Sequence, residues 1–182
     1  DPKTGVAIGD VSGHGISSAL LMATARASLR QRASMPGGIA EMISDVNFQL
    51  AKDVAYSGDF MTLFFLVIDT FKGRLEWVRA GHDPAVIYTL ENDSFQELMG
   101  PGMALGVKAD ECYEVDHLQG LSTGQIILLG TDGLWEAQNR KGERMGKDPI
   151  YQVIREHAAE SAPVILQSVF DSLEAFQQGA KR

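Results

Sequence analysis

The sequence predicts an α+β fold of antiparallel strands flanked by helices, and three observations carry that expectation. Strand-like and helix-like segments fall in blocks rather than in strict alternation. Several strand-like runs are separated by turns too short for a crossover helix, as at Thr70-Phe-Lys-Gly73 and Gly81-His-Asp83. Short links suit antiparallel pairing and exclude parallel neighbours. Finally, 182 residues at 45% hydrophobic and 22% charged can bury one substantial core, so a single domain over 1–182 is expected.

The elements follow in order. Residues 5–10 read as a first strand that breaks into glycines at Gly13 and Gly15. A helix is expected from Ile16 to Ala33, with Ala19, Ala23 and Ala27 repeating at i, i+4 as a smooth face for close packing. Met35-Pro-Gly-Gly38 stops it. A second helix runs from Ile39 to about Val54, with Ile39, Met42, Ile43, Val46 and Leu50 on one stripe. The period then changes to that of strands. Met61–Asp69, Arg74–Ala80 and Pro84–Leu90 are expected as successive hairpins, and 113–118 with 125–131 as another pair across Ser122-Thr-Gly124. Helices at 148–160 and 162–178 close the chain, the last with Ser161 as N-cap and Pro163 just inside.

Composition excludes some partners. A formal net charge of −8 argues against nucleic acid or an anionic membrane surface, either of which needs a concentrated basic face. Arg26, Arg30 and Arg32 stand close together but are read as a solvated helix face. No run approaches the ~18 apolar residues of a membrane span, and no signal-peptide pattern opens the chain. The single cysteine, Cys112, cannot pair internally; it fits a reducing cytoplasm and is expected to pack in a strand-like stretch.

The candidate chemistry lies in Gly9-Asp-Val-Ser-Gly-His-Gly15, where a strand turns into a helix. Gly9, Gly13 and Gly15 match the glycine spacing of short-chain dehydrogenases, but Asp10 would repel a pyrophosphate lying beside it. The tyrosine–lysine pair of those enzymes is also absent: Tyr56, Tyr88, Tyr113 and Tyr151 are followed four residues later by Phe60, Asn92, His117 and Arg155. A P-loop fails because no Lys-Ser/Thr follows the glycines. A second Asp-Gly ends the apolar run Ile126-Ile-Leu-Leu-Gly-Thr-Asp-Gly133, so two aspartates are expected to end buried strands. Burying a carboxylate is costly without a positive partner, and a hard divalent cation is the economical one. All-oxygen ligation suits Mg²⁺ or Mn²⁺; the histidines and cysteine show no zinc spacing. The bland alternative is that Asp10 caps the following helix and Asp132 terminates a strand.

Taken with Ala19-Leu-Leu-Met-Ala23, Asn47-x-x-Leu50, Met61-Thr62, Ala80-Gly-His-Asp-Pro84, Leu105-Gly106 and Thr131-Asp-Gly-Leu-x-Glu136, this loop resembles the SpoIIE/RsbU branch of the PPM-type metal-dependent serine/threonine phosphatases. The motifs stand in family order over nearly the whole chain. The resemblance implies an α-β-β-α sandwich with a two-metal centre of Mn²⁺ or Mg²⁺. It assigns Asp10 as the bridging ligand, the Val11 carbonyl as a further ligand and Asp132 as a second carboxylate. Catalysis would rest on metal-activated water rather than a protein nucleophile. His14 is the nearest candidate acid for the leaving serine oxygen, with loop bracing as its other reading. His82 is expected to anchor the Gly81–Pro84 turn, Asn47 to bond backbone, and Glu136 to support the loop after Asp132. The implied substrate is a phosphorylated STAS-type regulatory protein. The loop from Trp135 to Lys147, with Arg140, Lys141, Arg144 and Lys147, is read as its docking surface, the alternative being a loop that is basic for solubility.

Two further carboxylates of the family pattern have no counterpart. Asp1 opens the chain, and after Asp132 the only aspartates are Asp148 and Asp171, both placed in helices. The sequence is therefore expected to be a fragment trimmed at both ends, impaired in activity and open to dimerisation through an unpaired strand edge. The competing reading is a phosphatase-like binding module without hydrolysis.

Overall fold

A computed structural model describes residues 3–178 and divides into two compact units, Asp1–Pro84 with Met99–Leu121, and Ala85–Leu98 with Ser122–Arg182. Asp1 lies outside the described residues. In chain order the elements are β1 (Lys3–Val11), α1 (Ile16–Ala33), α2 (Ile39–Asp53), β2 (Met61–Asp69), β3 (Arg74–Ala80), β4 (Ala85–Thr89), a 3-10 turn (Leu90–Asn92), β5 (Ser94–Leu98), β6 (Asp116–Gln119), β7 (Gln125–Leu128), α3 (Asp132–Trp135), α4 (Asp148–Glu156) and α5 (Ala162–Gln177). The class is α+β with antiparallel sheets and flanking helices, as the sequence predicts. Asp148 and Asp171 both fall in helices, α4 and α5.

The first unit is built on the antiparallel sheet β1-β2-β3-β6. β2, Met-Thr-Leu-Phe-Phe-Leu-Val-Ile-Asp, is apolar on both faces and takes a central place. Leu21, Ala25 and Leu29 of α1 and Met42, Ile43, Val46 and Leu50 of α2 join Met61, Leu63, Val78, Ala80, Leu105 and Tyr113 in one core. The buried stripe of α1 is therefore not the alanine face: Ala19, Ala23 and Ala27 are exposed. Leucines at 21 and 29 bury more apolar area than three methyl groups, so they turn inward. Arg32 also departs from the solvated face that Arg26 and Arg30 keep. Its guanidinium meets Asp45 at 2.6 Å and Glu41 at 3.3 Å and donates to the Pro36 carbonyl at 2.8 Å, tying α1 to α2. Asn47, fully buried, donates to the Lys108 carbonyl at 2.8 Å and accepts from the Gly106 amide at 2.9 Å, as expected of a backbone anchor. Cys112 is exposed and lies outside any strand, since β6 begins only at Asp116.

The second unit carries the sheet β5-β4-β7 over a core of Tyr88, Met145, Ile150, Ile154, Ile165 and Val169. Two expected hairpins are absent. β3 pairs with β2 and β6, whereas β4 pairs with β5 and β7, so the Gly81–Pro84 link passes from one sheet to the other. For the same reason β6 and β7 are not partners. The expected β2–β3 hairpin forms, and an unexpected one, β4 to β5, closes through Asp93 in the left-handed region at φ 48°. Ser-Phe-Gln-Glu-Leu carries too few apolar residues to announce its second strand.

Asp93 yields a pH prediction. Arg155 donates to its carboxylate at 2.8 Å, and Tyr88 donates to the same oxygen at 3.1 Å. The hydrogen bond from Arg155, ahead of that from Tyr88, holds the Asp93 carboxyl below its ordinary value. A depressed carboxylate stabilises the fold fully above its unfolded value, and that contribution disappears as pH falls through the folded one. Asp93→Asn, which tolerates the left-handed backbone, is expected to flatten the acid limb of a melting-temperature profile between the ordinary carboxylate range and lower pH. An unchanged limb would show that the pair contributes nothing.

Candidate metal centre

The end of β1 is held tightly against β2. Asp10 lies opposite Thr62 and Val11 opposite Met61. Gly9 is required there, because a Cβ on it would stand 2.6 Å from the Thr62 carbonyl oxygen. Beyond Val11 the backbone turns sharply: the Ser12 amide donates to the Phe60 carbonyl and the Ser12 hydroxyl oxygen accepts from the Phe60 amide, both at 2.9 Å, and Ser18 donates to the Ser12 carbonyl at 3.0 Å. Gly13 and Gly15 take φ of 77° and 92°, open only to glycine at low cost. Gly15, not Asp10, occupies the N-cap of α1, which removes the capping role for that carboxylate. Asp10, the Val11 carbonyl and the exposed His14 are thus gathered on one turn.

His82 is buried, with its Nδ1 at 2.8 Å from the Thr62 hydroxyl, and its carbonyl accepts from Arg79 Nε. Arg79 also donates to the Gly100 carbonyl at 3.0 Å, so the turn after β3 is anchored through backbone and side chain alike.

Asp132 belongs to the second unit. It opens α3 behind the N-cap Thr131, four residues after the end of β7, and therefore starts a helical turn instead of terminating a strand. Its carbonyl accepts from the Glu136 amide at 2.7 Å. Glu136 pairs with Arg144 at 2.7 Å, supporting the loop as expected, and Lys147 pairs with Glu97 at 2.6 Å. Only Arg140 and Lys141 of the four loop cations stand outside those acid pairs.

Asp10 and Asp132 are both exposed, so neither is a buried carboxylate in search of a counter-charge. The physical reason is local: among the described residues β1 pairs only with β2, and the α3 turn is open to water. The case for a cation rests instead on the donor set. Among the described residues no three His, Cys, Asp or Glu side chains gather to hold a metal. A carboxylate, a backbone carbonyl and water are nevertheless a fitting set for Mg²⁺, which keeps several waters and needs only one or two carboxylates.

Across its entire length, residues 1–182, the chain matches the family model described as Stage II sporulation protein E (SpoIIE). The chain belongs to the SpoIIE family. It is 27% identical over 172 residues to "Phosphoserine phosphatase RsbU" of Bacillus subtilis (strain 168), covering 94% of this chain and 50% of RsbU. This SpoIIE-family chain thus spans about half the length of that curated relative. Among solved structures, the RsbU and RsbW domains of Rv1364c from Mycobacterium tuberculosis match at a TM-score of 0.76 and 26% identity, over 96% of this chain and 48% of that one. The SiaA-PP2C domain of Pseudomonas aeruginosa matches at 0.79 and 21% identity, over 96% and 74%. The SpoIIE-family chain accordingly has the mixed α/β fold of PP2C-type phosphatases. No helix among the described residues is long and apolar enough to cross a membrane.

Proposed function

We propose that this chain hydrolyses phosphoserine or phosphothreonine on a regulatory protein, with Asp10, the Val11 carbonyl and Asp132 as ligands to Mn²⁺ or Mg²⁺. The observation that carries the reading is the full-length SpoIIE match, with a relative named phosphoserine phosphatase, combined with the presentation of Asp10 and Val11 on a glycine turn. When bound, divalent ions would supply an activated water and screen the charge on the attacked phosphoryl group. The chain's own residues do the rest. Asp10 presents an exposed carboxylate from a strand end in register with β2, where Gly9 lies too close to the Thr62 carbonyl to carry a side chain. Val11 is the last residue of β1, so its carbonyl stands where the chain leaves the strand. His14 stands on the same turn, where an imidazole can give a proton to the leaving serine oxygen. The single exposed Cys112 fits a cytoplasmic setting.

A phosphorylated STAS-type protein remains the proposed substrate, with the loop between Trp135 and Lys147 as its docking surface. The ion pairs of Arg144 and Lys147 weaken that surface, leaving Arg140 and Lys141 as its strongest cations. The experiment is phosphate release from a serine-phosphorylated STAS protein and from a small aryl phosphate, with Mn²⁺, Mg²⁺ or chelator. Metal-dependent release from both supports hydrolysis; binding of the phosphoprotein without release supports the binding module. Changing Arg140 and Lys141 to Ser is expected to slow the protein substrate alone. Equal slowing of both substrates would mean that the loop shapes the site instead.

A further inference from the structure

Thr62 stands directly opposite Asp10 in the β1–β2 ladder, so the two side chains share one face of the sheet. Its hydroxyl lies 3.4 Å from the Asp10 carbonyl oxygen and 2.8 Å from His82 Nδ1. His82 is 3% exposed and is fixed in turn by the bond from Arg79 to its carbonyl. The three groups form a series running from the β3–β4 link to the end of β1. A hydroxyl has one proton to give. If Thr62 spends it on the Asp10 carbonyl, the Thr62 oxygen must accept, and His82 must carry its proton on Nδ1. That assignment makes both contacts hydrogen bonds, whereas a Thr62 proton directed at His82 leaves the 3.4 Å approach to the Asp10 carbonyl without a hydrogen.

We infer that His82 and Thr62 are positioning residues: the Nδ1–H of His82 orients the Thr62 hydroxyl, which holds the Asp10 carbonyl and thereby sets the peptide that carries Asp10 and Val11 to the metal. This rests on the metal reading of Asp10. Neither residue is among the proposed ligands. Their effect is on how well one carboxylate and one carbonyl are aimed at an ion, and partners outside the direct ligands typically change metal affinity by about 10–100-fold.

Mn²⁺ titration by calorimetry, with a thermal melt of each metal-free variant, tests the series. Thr62→Val and His82→Leu are expected to weaken Mn²⁺ binding by about 10-fold, while Thr62→Ser and His82→Asn, which keep the hydroxyl and a donor near Nδ1, restore it. Should His82→Leu not fold, the Thr62→Val and Thr62→Ser pair carries the comparison alone. If Thr62→Val and His82→Leu lower the melting temperature yet bind Mn²⁺ as the unaltered chain does, the pair is only a structural brace and the inference is wrong. Asp10→Asn separates the two levels. Lost binding in Asp10→Asn with unchanged binding in Thr62→Val overturns the positioning role alone, whereas unchanged binding in Asp10→Asn overturns the metal reading and the inference with it.

Discussion

Replacing Asp10 by Asn is expected to reduce metal-dependent phosphate release at least about 100-fold, equivalent to ~2.7 kcal/mol of transition-state stabilisation. Asparagine keeps the size and one oxygen of the side chain but removes the negative charge that would meet the cation. Because Asp10 is exposed and makes no cap to α1, the fold should not notice the change. The measurement is kcat toward an aryl phosphate at saturating Mn²⁺, alongside the thermal midpoint. A fall in midpoint that matches the fall in activity would assign Asp10 a structural role; full activity would remove it from the site.

The second large effect is on stability. Asn47 is fully buried on α2 and bonds both the Lys108 carbonyl and the Gly106 amide, holding the segment that brings Leu105 beside Met61. Asn47→Leu leaves that carbonyl and that amide without a partner, at about 1–3 kcal/mol each. A loss of about 3 kcal/mol is expected, which for a chain of this size lowers the melting temperature by roughly 6–12 °C. Scanning calorimetry would read it directly, and a change under about 2 °C would show that water or a backbone shift satisfies both groups. Metal affinity should be unaffected, in contrast to the expectation for Thr62.

The helices and the first three long strands were legible because their signals are local. Ile16–Ala33 is bounded by glycine before and Pro36 after, and the β2 and β3 boundaries follow the Asp69–Arg74 turn. Pairing was less legible, because a turn tells only that the chain reverses, not which sheet it rejoins. Gly81–Pro84 has the composition of a hairpin loop, yet Gly81 takes φ 70° beneath Ala104 and sends the chain into a second sheet. β5 has no clear sequence signal because Phe95 and Leu98 alone carry its apolar pattern, and the αL turn at Asp93 that creates it needs no glycine.

The candidate site divides in the same way. Asp10, Val11 and His14 are neighbours in sequence, and the turn that gathers them is written in Gly13 and Gly15. Apolar neighbours predict burial of the two carboxylates, yet both are exposed, since β1 has a single strand partner among the described residues and the α3 turn is open to water. Thr62 and His82 were visible as Met61-Thr62 and Ala80-Gly-His-Asp-Pro84 but carried no role for Thr62. Only the register that sets Thr62 against Asp10, and the 2.8 Å contact from His82, connects those motifs to the loop. Long-range register is not encoded in the spacing of either motif.

The central claim, that carboxylates of this chain hold a catalytic divalent ion, is tested most directly by calorimetric Mn²⁺ titration of the unaltered protein, Asp10→Asn and Asp132→Asn. The unaltered chain is expected to give a binding isotherm that is weakened at least about 10-fold in each variant, with melting temperatures unchanged. An isotherm identical in all three proteins would contradict it.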